Sequence, residues 1–398
     1  MGESEDVSDE YVLKLCGDIS TVAAEDWDAC AGEENPFVCH TFLQALEESG
    51  CASAEEGWMP QHLLLEDPSG RLIGCAPMYL KSHSQGEYVF DHGWANALER
   101  AGGRYYPKLQ IAVPFTPATG PRLLVRDGED LVQTRRMLLQ GAAQAASQMK
   151  VSSLHITFPT EAEARLGRSE GWLFRTGEQF HWENNGYADF DAFLEDLASR
   201  KRKAIRKERK GALENDIEVE EITGADLNED HWDAFYRFYM DTGSRKWGRP
   251  YLNRTFFSLL GDRMGENVVL MMAKREGRYI AGALNFAGSE TLFGRYWGCI
   301  EDHRFLHFEL CYYRAIDWAI RHGLSRVEAG AQGPHKLARG YLPVTTHSIH
   351  WIADPGFRRA VDDYLEHERR EVQREIDYLS DLSPFRKGGK YTPDEGAI

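Results

Sequence analysis

Residues 291–351 read TLFGRYWGCIEDHRFLHFELCYYRAIDWAIRHGLSRVEAGAQGPHKLARGYLPVTTHSIHW, and the fold is decided there. A β-prone run ends in Arg295-Tyr296-Trp297-Gly298. Apolar residues at helical spacing then predict a helix over 306–322, and a second strand follows over 325–330. Next comes a polar, glycine-rich segment, Gly330-Ala-Gln-Gly-Pro-His-Lys336, and a further strand over 345–352.

Working back from there, residues 268–274 and 279–287 form a hairpin about Glu276-Gly277, preceded by helices over 231–241 and 253–264 and a strand over 217–222. Phe190, Phe193, Leu194 and Leu197 mark a helical face that runs into eight cations within the eleven residues from Arg200 to Lys210. In the first half, strands are expected at 61–66, 72–80 and 86–94, with Pro77 marking an edge or a bulge. A loop-rich segment covers 96–120, and a helix over 134–149 leads to a strand over 151–158. A charged helix covers 357–379.

The two halves echo each other. Gly70-Arg71-Leu72-Ile73 matches Gly277-Arg278-Tyr279-Ile280 in place, and each half continues with a Trp-bearing strand (Trp94, Trp297), a helix and another strand. The expected division is one domain over 11–188 and a second over 189–380, with tails at 1–10 and 381–398.

The chain has 398 residues, 42% hydrophobic content and a net charge of −17, which suits two globular domains and excludes a surface that is cationic throughout. Seven dispersed Cys without a CxxC pair suit buried thiols in a reducing compartment. The acidic start lacks signal-peptide features, and no apolar run reaches the roughly 18 residues of a membrane span. The expectation is a cytoplasmic protein. There is no HExxH and no paired-His spacing, so no metal site is expected.

The duplicated order, and above all the run HFELCYYRAIDWAIRHGLSRVEAGAQGPHKLARGY, resembles the Fem-like family of tandem GNAT N-acyltransferases, of the peptidoglycan biosynthesis or recognition type. The resemblance implies an α/β (α+β type) chain of two tandem GNAT-like domains, each a mixed sheet flanked by helices. It also implies acyl or aminoacyl transfer to an amine, on a peptidoglycan-precursor-like acceptor. No tightly bound cofactor is implied, and the donor is acyl-CoA or aminoacyl-tRNA. Two alternatives stay open: an acyl-CoA-dependent GNAT acetyltransferase acting on a small metabolite, and a non-catalytic binding protein of the same fold. Where GNAT enzymes carry a glycine-rich pyrophosphate loop, this chain has Arg304-Phe-Leu-His-Phe-Glu309.

Acyl transfer needs a neutral amine, a polarised carbonyl and a route for the proton. The catalytic candidates are His307 and Glu309 at the helix start, Glu328 on an otherwise apolar strand, and Tyr296. Each has a plain alternative: a carboxylate favoured by the helix dipole, a packed His, an ion-paired Glu, or an aromatic packing on Trp297. The substrate-binding candidates are Gln332, His335, Lys336 and Arg339 in the glycine-rich loop, Arg295 on the strand, and Arg245, Lys246 and Trp247 in a basic aromatic loop. The Arg200–Lys210 run either contacts tRNA, a CoA phosphate or an anionic headgroup, or is a solvated helix face.

Overall fold

The computed structural model describes residues 10–246, 250–330 and 333–391. It divides into two compact units. Unit 1 runs up to Gly177 and takes in Thr346–Glu371, while unit 2 is Glu178–Thr345 with the chain from Val372 onward.

In unit 1, Met78–Lys81 pairs antiparallel with Lys108–Ile111, which runs parallel to Ser153–Thr157. The parallel pair is joined by the helix Leu131–Gln148. Asp130 caps its start by accepting from the Val132 and Gln133 amides, and Leu138, Leu139 and Ala142 are buried on its inner side. A smaller sheet holds Val12–Cys16, His62–Glu66, Leu72–Ala76 and Leu124–Val125. Pro77 lies where the chain passes from this sheet to the larger one. Without an N–H it cannot carry a ladder across, so one sequence run becomes two strands in two sheets.

In unit 2, Ile217–Ile222, Val268–Arg275, Arg278–Ala287 and Thr291–Cys299 follow one another antiparallel. Thr291–Cys299 then runs parallel to Arg326–Glu328. The connecting helix starts at Leu306–Phe308, widens to a π turn over Glu309–Tyr313 and continues as Arg314–Arg321. Leu310, Tyr313, Ile316 and Ala319 pack with Val269, Met271, Leu292 and Val327 in its core.

Both units therefore hold antiparallel strands, then a strand that gains a parallel partner through a helical crossover. These are two tandem GNAT-like folds with mixed sheets flanked by helices. The Gly70-Arg71 and Gly277-Arg278 echo falls on corresponding hairpin turns, between His62–Glu66 and Leu72–Ala76 and between Val268–Arg275 and Arg278–Ala287. The Trp echo does not hold, because Trp94 is on the helix His92–Arg100. Residues 86–91 are irregular rather than a strand. Gly86 and Tyr88 adopt positive φ, and Glu87 and Asp91 turn inward to the buried Lys108 ammonium.

The closing strand of each sheet comes from distant sequence. Arg326–Glu328 pairs with 181–183, which precede the rest of unit 2, and Ser153–Thr157 pairs with 348–352 from far downstream. Among the described residues, no helix is long and apolar enough to cross a membrane.

Candidate functional site

The parallel strands of unit 2 part company after one short run. Phe293 opposite Glu328 is the last pair, yet Thr291–Cys299 continues six residues further. Arg295 is the extra residue of a bulge, since Gly294 faces Asn285 and Tyr296 faces Leu284. The partner strand stops at Glu328 and turns away at Gly330, whose φ is 79°. Ends of parallel strands that diverge in this way leave backbone and loop groups open to a ligand.

The loop after Gly330 comes back as a short helix, Pro334–Arg339. Gly340 ends it in the left-handed region, and a Cβ there would meet Phe193 at 2.8 Å. The loop is thereby pressed onto the core, with Lys336 and Arg339 only 3% and 6% exposed. Lys336 Nζ donates to the Gly330 carbonyl at 2.8 Å. Burial holds its ammonium down at about 8. Arg339 donates to the His335 carbonyl at 2.7 Å and to Glu208 at 2.8 Å, and its guanidinium stacks 3.5 Å from the centre of the Phe308 ring.

His335 Nε2 lies 3.0 Å from the Tyr312 hydroxyl. Burial, then the Arg339 and Lys336 charges, pull the imidazole below its ordinary range. Burial pushes the Tyr312 phenol up, so it stays protonated and able to donate to an unprotonated Nε2. His307 joins the same ring cluster, 5.3 Å from Tyr312, 5.2 Å from Trp297 and 6.4 Å from His335 between ring centres.

Glu309 sits apart from this chemistry. It is fully buried, and its carboxylate accepts from Arg209 at 3.1 Å and from Arg314 at 2.9 Å. Held between two guanidiniums, it suits an anchor of the π turn better than a proton carrier. Glu328 is buried opposite His181 in the ladder, with Oε2 3.8 Å from the imidazole Nε2. Burial drives that imidazole down to about 3, so it is neutral and the contact is not an ion pair at neutral pH. Tyr296 packs edge-on against Tyr239 with ring centres 5.3 Å apart, and Arg295 lies 5.2 Å from the Tyr296 ring. Of the other expected residues, Gln332, Trp247 and the side chains of Arg245 and Lys246 lie outside the described residues.

The basic run forms the helix Ser199–Ala212, which has two sides. Its inner side buttresses the site. Glu208 binds Arg339 and the Tyr313 hydroxyl, Arg209 binds Glu309, and Gly211 abuts Phe305. Arg200, Lys203, Lys207 and Lys210 recur every three or four residues and are exposed on the outer side. Glu208, Tyr312 and Tyr313 were not among the sequence candidates, and Arg209 was there only as one cation of the run. Glu208 is the one acid inside the cationic run, and that was the available signal.

The matching place in unit 1 is filled by its own chain. Beyond the parallel pair of Ile111 with Ile156, Arg122 folds in and donates to the carbonyls of Thr157 at 3.0 Å, Ala118 at 2.6 Å and Pro121 at 3.0 Å. Among the described residues, no group of His, Cys, Asp and Glu is arranged to hold a metal ion in either unit.

Comparison with known proteins follows the same lines. A search of curated protein sequences finds no match. Among solved structures, FemX superposes with a TM-score of 0.54 at 12% identity, covering 86% of this chain and 98% of FemX. The C-terminal domain of a putative lysylphosphatidylglycerol synthetase from Agrobacterium fabrum gives 0.50 at 9% identity, covering 86% and 96%. A tandem GNAT protein from the clavulanic acid biosynthesis pathway gives 0.44 at 12% identity, covering 86% and 98%. At such identities the first two likenesses are ones of fold alone. The FemAB-like family model, described as peptidoglycan biosynthesis/recognition, matches residues 18–387 and so spans both units; the chain belongs to the FemAB-like family.

Proposed function

We propose that the cleft of unit 2 transfers an aminoacyl group to an amine, with His335 as the proton acceptor and Lys336 as the cation facing developing negative charge. A FemAB-like protein is a transferase moving an acyl or aminoacyl group onto an amine, and one observation supports giving the work to these residues. Where the parallel strands diverge, a buried lysine of depressed basicity stands next in sequence to a neutral imidazole that is fixed by a phenol.

The attacking amine forms the new N–C bond and passes its proton to the Tyr312 hydroxyl, which gives its own to His335 Nε2, so that the imidazole becomes imidazolium. The C–O bond of the donor ester breaks, and its oxygen leaves as the hydroxyl after taking a proton from Lys336 or water. Lys336 first stabilises the oxyanion of the tetrahedral intermediate.

The donor is best read as aminoacyl-tRNA. The helix start expected to cradle a CoA pyrophosphate is instead crowded by Phe305 and Phe308, with Arg339 stacked on the latter. The exposed stripe Arg200, Lys203, Lys207 and Lys210 offers a row of cations at an axial rise of about 4.5–6 Å, which suits a polyanionic backbone. The acceptor is a peptidoglycan-precursor-like amine.

The test is amide formation with charged tRNA as donor and an amine-bearing muropeptide as acceptor, run beside an acyl-CoA arm. Turnover with charged tRNA that collapses in His335→Ala supports the reading. Turnover with acyl-CoA alone would move it to the acyl-CoA alternative.

A further inference from the structure

One face of the unit 1 sheet is polar and yet buried. Tyr79 and Lys81 stand opposite Gln110 and Lys108 in the ladder, Gln110 stands beside His155, and His155 stands opposite His350. All six are buried. Side chains alternate along a strand, so the reverse face carries Met78, Leu109, Ile111, Leu154 and Ile156, which form the apolar core under the helix Leu131–Gln148. The irregular segment 82–91 reaches the polar face with Ser84, Glu87 and Asp91.

The groups on that face are linked to one another. Lys108 donates to Ser84 at 2.8 Å, to Glu87 at 2.7 Å and to Asp91, and the Tyr105 hydroxyl donates to Asp91 at 2.7 Å. His155 meets Tyr105, Ser153 and the facing His350, whose other nitrogen meets Ser348. At one end, however, bonding capacity is left over. Lys81 is fully buried over the Trp58 ring, and its only hydrogen bond among the described residues is a long one of 3.5 Å to the Gln85 carbonyl. Among the described residues, Glu87 Oε1, 4.0 Å from Lys81 Nζ, has no hydrogen-bond partner, and neither do Asp91 Oδ1, the Tyr79 hydroxyl and Trp58 Nε1.

Such groups are costly to bury unsatisfied, and they are both donors and acceptors. The formal charges of Lys81, Lys108, Glu87 and Asp91 cancel. A guest bearing one charge would leave that charge uncompensated in a dry interior, whereas a guest bearing both would not. Burial pushes Glu87 up to about 7 and Lys81 down to about 6, so neither is fully charged at neutral pH without further partners.

We propose that this face of unit 1 binds a small zwitterion of the α-amino-carboxylate class, with Lys81 and Trp58 Nε1 meeting its carboxylate and Glu87 and Asp91 Oδ1 meeting its ammonium. The segment 82–91, in which Tyr88 is left-handed and Phe90 is exposed, is the cover that the guest passes. The inference is independent of the acyl-transfer reading, since none of its residues belongs to the unit 2 cleft.

The test uses the full-length protein and titration calorimetry with glycine and L-alanine, against acetate and methylammonium as single-charge controls. Saturable binding of an amino acid is expected, with no binding of either control at the same concentration. Lys81→Met and Glu87→Gln should each weaken it at least tenfold. If a variant fails to fold, hydrogen exchange on the unmodified protein decides, with slowed exchange over 82–91 on adding the amino acid. No amino-acid binding, equal binding of acetate or methylammonium, unchanged affinity in folded variants, or unchanged exchange over 82–91 would each overturn the proposal.

Discussion

The hydroxyl of Tyr312 lies 3.0 Å from Nε2 of His335, and that contact sets which imidazole nitrogen carries the proton. With the protonated phenol donating to Nε2, the neutral imidazole carries its own proton on Nδ1, and Nε2 takes the next one by way of the phenol. His335→Ala should lower kcat by about 10²–10³-fold, in the range for a lost general base. Tyr312→Phe should keep the base but lose its orientation and the phenol that passes it the proton, for an expected loss of about tenfold in kcat with KM little changed. Steady-state kinetics on the pair of variants separates the two roles.

The pH profile follows from two depressed groups. His335 works unprotonated and its pKa lies below the ordinary 6.5, so activity should rise with pH on a limb below 6.5. Lys336 works protonated and its charge is lost as pH rises through about 8. A bell in kcat/KM is expected, with its upper limb near 8. Lys336→Arg keeps a cation that does not titrate there, so the upper limb should vanish even if the rate falls. A profile that keeps the limb in this variant would remove Lys336 from the assignment.

Glu309 should matter for stability rather than for chemistry. Replacing it by Gln leaves Arg209 and Arg314 facing a neutral group at a fully buried position. Because both arginines retain some exposure, the cost belongs at the low end for a broken buried pair, about 3 kcal/mol. Urea denaturation should show that loss, while kcat per folded molecule stays within about twofold. A large fall in kcat with stability intact would make the carboxylate a catalytic group.

The outer stripe of the helix Ser199–Ala212 makes a separate prediction. Lys203→Glu with Lys207→Glu should weaken charged-tRNA binding, and the slope of log K against log salt should fall by about 1.5 if two phosphates are lost. Thermal stability should hold, because both side chains are exposed and their loss breaks no ion pair among the described residues. Filter binding across a salt series checks it.

The strand–helix–strand order of residues 291–328 was legible because hydrophobic period and turn residues report local structure directly. His335, Lys336 and Arg339 were legible as a cationic loop among glycines. The partners that give those residues their chemistry were not. Glu208 reaches Arg339 from 131 positions away, and Tyr313 reaches Glu208 from 105, separations that no periodicity encodes. The exchange of closing strands was hidden for the same reason, since 348–352 and 181–183 look like ordinary strands wherever they pair. Residues 86–94 misled in another way. Tyr88-Val89-Phe90 reads as a β-prone run, but the pull of Lys108 on Glu87 and Asp91 prevails over that propensity.

The most direct test of the account is mass-spectrometric detection of the amide product from charged tRNA and an amine-bearing muropeptide. It should be run with the unmodified protein and with the double variant His335→Ala, Lys336→Met. The account predicts a product heavier than the acceptor by one aminoacyl residue, formed by the unmodified protein and reduced at least a hundredfold in the double variant. Equal product from both proteins, or none from the unmodified protein with either charged tRNA or acyl-CoA, would contradict it.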